Sequence, residues 1–141
     1  MKNLLAKYSR ILKKDNAYSW SILFLRVVIG LAMMFHGWSK IQNPLGWMGP
    51  EAPVPGILQA LAAVSEFGGG LAWVLGLLTP LASLGMMCTM AVAVSVHYGK
   101  GDPFVGMGGS YELASVYLFF GVHLLLSGPG KFSADYKLFS K

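Results

Sequence analysis

Two charges stand where hydrocarbon is expected. Arg26 lies in the run 18–38 and Glu66 in the run 56–79, both otherwise apolar. An unpaired charge at a bilayer centre costs about 2.5–3.5 kcal/mol on insertion scales. Such residues therefore pair, or they face a ligand, a proton path or water. Counted from Trp38 and Gly56, taken as one boundary, Arg26 is twelve residues deep and Glu66 ten. At about 1.5 Å per residue these depths nearly match, so the two are expected to pair across antiparallel helices. Three chemistries fit such a pair: a structural ion pair that fixes helix register, a proton carrier in Glu66, or a clamp for a polar ligand.

Other candidates gather toward one set of helix ends. Arg26, Gly30, Met33, Gly37 and Lys40 recur along one stripe, with His36 at its edge. His36, His97 and Glu112 lie near the same boundary, with Glu51 and Asp102 in the neighbouring loops. Two histidines and a carboxylate form a metal donor set, but the spacing matches no known signature, and interfacial polar residues give the same pattern. His123 shares a stripe with Glu112 and could bind haem beside a second histidine, although no haem motif is visible. Met86 and Met90 line up with His97, a copper(I)-like set that is equally packing material. Cys88 is the one cysteine, so a disulfide within the chain is excluded; in its apolar run it reads as a small buried hydrophobe.

The elements that must position these residues are membrane helices. Hydrophobic residues make up 55% of the 141-residue chain, mean hydropathy is +0.56, and only 12% of residues are charged. Soluble domains carry about 25% charged residues, so too few remain here to solvate a surface. Four apolar spans follow one another, 18–38, 56–79, 81–98 and 111–127. At about 1.5 Å per residue each is near the length that crosses a core of roughly 30 Å. Pro80 leaves almost no loop between the second and third spans, which predicts a tight hairpin. Gly128-Pro129-Gly130 stops the fourth. In the second span Gly69 and Gly70 flank Glu66, while Gly68, Ala72 and Gly76 form a separate small-residue ridge suited to helix contact, including contact with a second copy of the chain.

Charge placement sets orientation. Of eleven Lys and Arg, eight lie in the two tails, and the net charge is +5. Cations concentrated in tails beside apolar spans argue for a membrane surface and against nucleic acid. Residues 1–17 alternate Leu4, Leu5, Tyr8, Ile11 and Leu12 with Lys2, Lys7, Arg10, Lys13 and Lys14 at helical spacing, as in a helix lying on an anionic leaflet. No small-residue cleavage site follows, so this segment is read as retained. The positive-inside rule places both termini in the cytoplasm, with 39–55 and 99–110 facing outward. Tyr18, Trp20, Trp38, Trp47, Tyr98 and Tyr111 fall at the boundaries as interfacial anchors. A weak echo links His36-Gly37-Trp38-Ser39-Lys40 to His97-Tyr98-Gly99-Lys100, each followed by a loop and a glutamate-bearing helix, which suggests two parallel hairpins.

Together these residues resemble the DoxX family of small four-helix membrane proteins. The resemblance rests on Arg26, His36-Gly37-Trp38-Ser39-Lys40, Glu66-Phe67-Gly68-Gly69-Gly70 and Leu75-Gly76-Leu77-Leu78-Thr79. It continues through His97, Glu112, Gly128-Pro129-Gly130, Ser133 and Asp135, covering 22–135. The family takes its name from subunits associated with quinone-linked respiratory and sulfur-oxidising enzymes, and other members are associated with oxidative-stress systems. The resemblance implies an all-α, four-helix inner-membrane bundle: an interfacial segment over 1–17, the bundle over 18–130 and a cytoplasmic tail over 131–141. It carries over Arg26, His36, Lys40, Glu66, His97 and Glu112 as candidate ligand-binding residues. The expected function is a redox-associated subunit that interacts with quinone and works with redox partner subunits, since the chain has no electron carrier of its own. The rivals are a transporter or small-molecule-binding membrane protein, and a ligand-free scaffold. The expected site is one polar cavity lined by Arg26, Glu66, His36 and His97, opening outward.

Overall fold

Asp15 starts the first helix, its carboxylate accepting from the Tyr18 amide at 2.7 Å and so serving one orphan donor of the first turn. The structure, a computed structural model, describes Tyr8 and residues 15–140. The basic amphipathic segment expected over 1–17 lies, apart from Tyr8 and its last three residues, outside the described residues. Helix α1 spans Asn16–Gln42, α2 Gly56–Leu75, α3 Thr79–Gly99, α4 Glu112–Ser127 and a short α5 Ala134–Phe139. The described residues contain no strand. By length and composition α1, α2 and α3 can each cross a membrane; α4 is apolar but shorter, at 16 residues.

The four long helices pack as a bundle around Ile22, Met33, Trp73, Met86, Met90, Tyr117, Phe120 and Leu124. Trp73 has no exposed surface; its indole donates to Ser83 Oγ at 3.1 Å, and its ring meets Phe120 edge-on at 5.1 Å. Large apolar side chains point outward instead, among them Phe24, Val28, Leu31 and Phe35 along α1. In water such a surface would aggregate; in a bilayer it faces lipid. Cys88 belongs to that surface: it is exposed, not buried as its apolar run suggested. An apolar run cannot by itself separate a core face from a lipid face, because both select the same side chains.

Glycine sets the register of α1 against α2. A Cβ built on Gly30 would lie 2.7 Å from the Gly70 carbonyl oxygen, and one on Gly37 would lie 2.5 Å from the Phe67 nitrogen, so the two backbones touch. Gly56 is level with the Leu45 carbonyl and Gly76 with the Arg26 guanidinium. The stripe read from sequence is the buried face of α1, with Arg26, Gly30, Met33 and Gly37 all inward.

The turn between α2 and α3 is tight but differently bounded. Gly76 adopts φ 62° and closes α2 at Leu75, its successor Leu77 donating to Ala72 O at 2.9 Å. Leu78 then takes φ 47°, a left-handed conformation that costs a residue with a Cβ, and Pro80 enters the first turn of α3, where a missing N–H is harmless. Tyr18 Oη donates to Gly128 O at 2.7 Å, and the Lys131 amide donates to Ser19 Oγ at 3.1 Å. The start of α1, the α2–α3 turn and the C-terminal segment therefore share one end, here the termini end. The connections 43–55 and 100–111 occupy the opposite loop end.

Candidate functional site

Polar groups collect at both ends of the bundle, and the expected pair is divided between them. Lys40, in the last turn of α1, brings Nζ to 2.6 Å from both Glu66 oxygens. The carboxylate side chain is 5% exposed and the lysine 24%, so the anion is sealed while the cation reaches the rim. Lys40 Nζ also sits 4.6 Å from the centre of the Trp47 ring, an attractive cation–π placement. Trp47 comes from the loop 43–55, which Gln59 pins. The Met48 amide donates to Gln59 Oε1 at 3.0 Å, Gln59 Nε2 donates to Val54 O at 3.1 Å, and the Trp47 indole donates to Gln59 O at 2.9 Å. A buried amide on α2 thus fixes the loop that roofs the ion pair.

Arg26 is fully buried at the other end and bonds carbonyls, not Glu66. Its guanidinium donates to Pro129 O, to Phe132 O at 2.9 Å and to Val74 O at 3.4 Å. The expected Arg26–Glu66 pair is therefore corrected, and with it the single cavity holding both. The error lies in the boundary: Gly56 is level with Leu45, not Trp38, a shift of seven positions. Inside the helices the mismatch is larger: Gly37 meets Phe67, ten positions beyond the Ile57 that this boundary would set beside it. At about 1.5 Å per residue that is roughly 15 Å, which carries Arg26 to Gly76 and Lys40 to Glu66.

The other candidates are placed separately at the loop end. His36 is exposed on α1 with its ring 5.9 Å from Tyr117, edge to face. His97 Nδ1 lies 2.6 Å from Asp102 Oδ2, a short-range contact that folds the start of the loop 100–111 back onto α3. Glu112 is exposed in the first turn of α4, where a negative charge suits the helix dipole. Among the described residues no three His, Cys, Asp or Glu side chains converge on one point. The placement joins Lys40 to Glu66 and assigns His36, His97 and Glu112 partners or surroundings of their own.

Sequence reasoning gave no role to the most connected group at the termini end. Asp135 is fully buried; its Oδ1 accepts from the Leu78 amide at 2.7 Å and its Oδ2 from the Thr79 amide at 2.8 Å, while its own amide donates to Gly76 O at 2.9 Å. A residue 56 positions downstream thereby supplies the N-cap that Leu78 cannot. Tyr8 Oη donates to the same carboxylate at 2.6 Å. Burial, reinforced by Asp135, pushes the Tyr8 phenol well above its ordinary value, so it remains a donor throughout the neutral range. The signal was present in sequence as a lone acid in a basic tail, five residues after the turn that ends at Gly130.

A family model described as DoxX matches residues 21–99, which include Arg26, Lys40, Glu66 and the Gly30–Gly70 crossing. A protein of Haemophilus influenzae, described only as uncharacterized, is 30% identical over 123 residues, covering 85% of this chain and 92% of the relative. No solved structure matches the chain.

Proposed function

The chain belongs to the DoxX family of membrane proteins, and on that premise we propose that it is a quinone-interacting subunit of a redox system, with Lys40 and Glu66 as its head-group site. The observation that supports this reading is the sealed carboxylate under a partly exposed ammonium and an indole. A quinone head group is a flat ring with two carbonyl acceptors and an apolar tail. Lys40 Nζ has the donor that one carbonyl needs, Trp47 has a face for the ring, and the apolar outer face of the bundle suits the tail. A bound quinone would supply two-electron, two-proton redox capacity, with electrons from a partner subunit. Glu66 Oε, freed when Lys40 turns to the ligand, would hold or release a proton at that place. Solvent extracts of the protein purified in mild detergent should contain quinone at close to one per chain, measured by mass spectrometry. Its absence would count against the reading.

We further place the chain in the inner membrane with both termini cytoplasmic, residues 1–17 interfacial, 18–130 in the bundle and 131–141 as a tail. Tail cations on the termini side carry this orientation. Single cysteines at Ser110 and Ser140 in a Cys88→Ala background test it. An impermeant thiol reagent on intact cells should label position 110 and spare 140; the opposite pattern would invert the protein.

A further inference from the structure

The termini end holds a charge surplus that the Lys40–Glu66 site does not use. In sequence, 1–17 and 128–141 carry eight basic and two acidic residues. Asp135 is buried and engaged by Leu78, Thr79 and Tyr8, so it neutralises nothing at the surface. That leaves Asp15, which accepts from the Tyr18 amide. Lys131 Nζ donates to Asn16 Oδ1 at 3.0 Å and so stays at the end of the bundle, and Lys137 is exposed. Beside them Trp20, half exposed, meets Phe132 at a tilt with ring centres 4.4 Å apart and stacks with Phe24 at 6.1 Å. Lys131 and Lys137, with an exposed aromatic group nearby and further cations in excess in the sequence, complement phosphate and glycerol at a membrane interface. Tyr8 lies within the basic stretch, between Lys7 and Arg10 in sequence, yet its phenol bonds the carboxylate that caps α3. Its ring also lies 6.2 Å from Phe139 of α5.

We infer that the termini end binds anionic phospholipid head groups, and that the Tyr8–Asp135 hydrogen bond transmits this binding to the α2–α3 turn. A ligand held by Lys131 and Lys137, which flank Asp135 in the chain, stabilises whatever the native placement of Asp135 holds together. Here that is the cap on Leu78 and Thr79, the two amides that start α3 beside a left-handed leucine. The coupling is reciprocal: loosening the cap weakens lipid binding by the same factor. The inference is independent of the quinone reading, because Lys40 and Glu66 lie at the opposite end.

The test uses the full-length protein in neutral detergent. Phosphatidylglycerol, phosphatidylcholine or inorganic phosphate is added at equal phosphorus, and thermal unfolding is followed together with amide hydrogen exchange. Phosphatidylglycerol should raise the midpoint by several degrees and slow exchange of the peptide spanning 76–82, with phosphatidylcholine and phosphate doing neither. A K131Q/K137Q variant should show a smaller lipid shift with the cap intact. Tyr8→Phe should keep no more than half the wild-type shift. Equal effects of the two lipids, or protection by free phosphate, would overturn the lipid assignment. A full shift in Tyr8→Phe, or unchanged 76–82 exchange in the wild type with phosphatidylglycerol, would overturn the transmission, and the second readout needs no variant.

Discussion

Replacing Lys40 by methionine should cost the bundle about 3–5 kcal/mol, because it leaves a carboxylate in a low-dielectric interior with both oxygens stripped of their partner. Glu66 is 5% exposed, and among the described residues its two oxygens bond only to Lys40 Nζ, each at 2.6 Å. The mirror substitution should be milder. In Glu66→Gln the stranded group is Lys40, whose side chain is already 24% exposed and can extend to the head-group region, for a cost of about 1–2 kcal/mol. The double variant removes both charges, and its loss should fall well short of the sum of the two singles. Unfolding midpoints in detergent for the four proteins measure this asymmetry. Equal losses from the two single changes would mean that Glu66 is better solvated than its burial indicates.

The second large effect is expected at the opposite end. Asp135→Asn exchanges one carboxylate oxygen for an amide donor, which must face the Leu78 amide, the Thr79 amide or the Tyr8 hydroxyl, donors all. The loss should be about 2–4 kcal/mol, the size expected when a buried charged acceptor is removed from several donors. It also withdraws a negative charge that attracts Arg26, whose own bonds run to neutral carbonyls. The damage should be local. Hydrogen exchange should accelerate over 76–82 and 130–137, while the peptide containing Glu66 keeps its protection. Uniform acceleration along the chain would place Asp135 in the global stability of the bundle and not in a cap.

Much of this architecture was legible in the residues. The four apolar spans, the all-helical class and the inward stripe of α1 follow from composition and a 3.6-residue period, and the structure places them close to where the pattern does. Lys40 belonged to that stripe, four residues beyond His36 and three beyond Gly37, and stood among the candidates, but taking Trp38 as the membrane boundary hid its pairing with Glu66. The aromatic residue marks an interface in one dimension; register is set by which glycines let two backbones touch, and that is a property of the pair. Asp135 was hidden for a different reason. Its partners are backbone amides more than fifty residues away, and backbone donors leave no trace in a side-chain pattern. Gln59 escaped notice because one neutral amide barely alters the hydropathy of its span, although it holds the loop that carries Trp47.

The proposed quinone head group would sit at the Lys40–Glu66 pair under Trp47. The double variant Lys40→Met/Glu66→Gln should still fold, which makes it the appropriate comparison. A water-soluble short-tail quinone titrated into the wild-type protein should quench tryptophan fluorescence along a saturable curve, with Trp47 over the site as the responding indole. In the folded double variant the same titration should give only the weak, linear quenching of free collision. Identical saturable curves in the two proteins would contradict the account and send the head group elsewhere on the bundle.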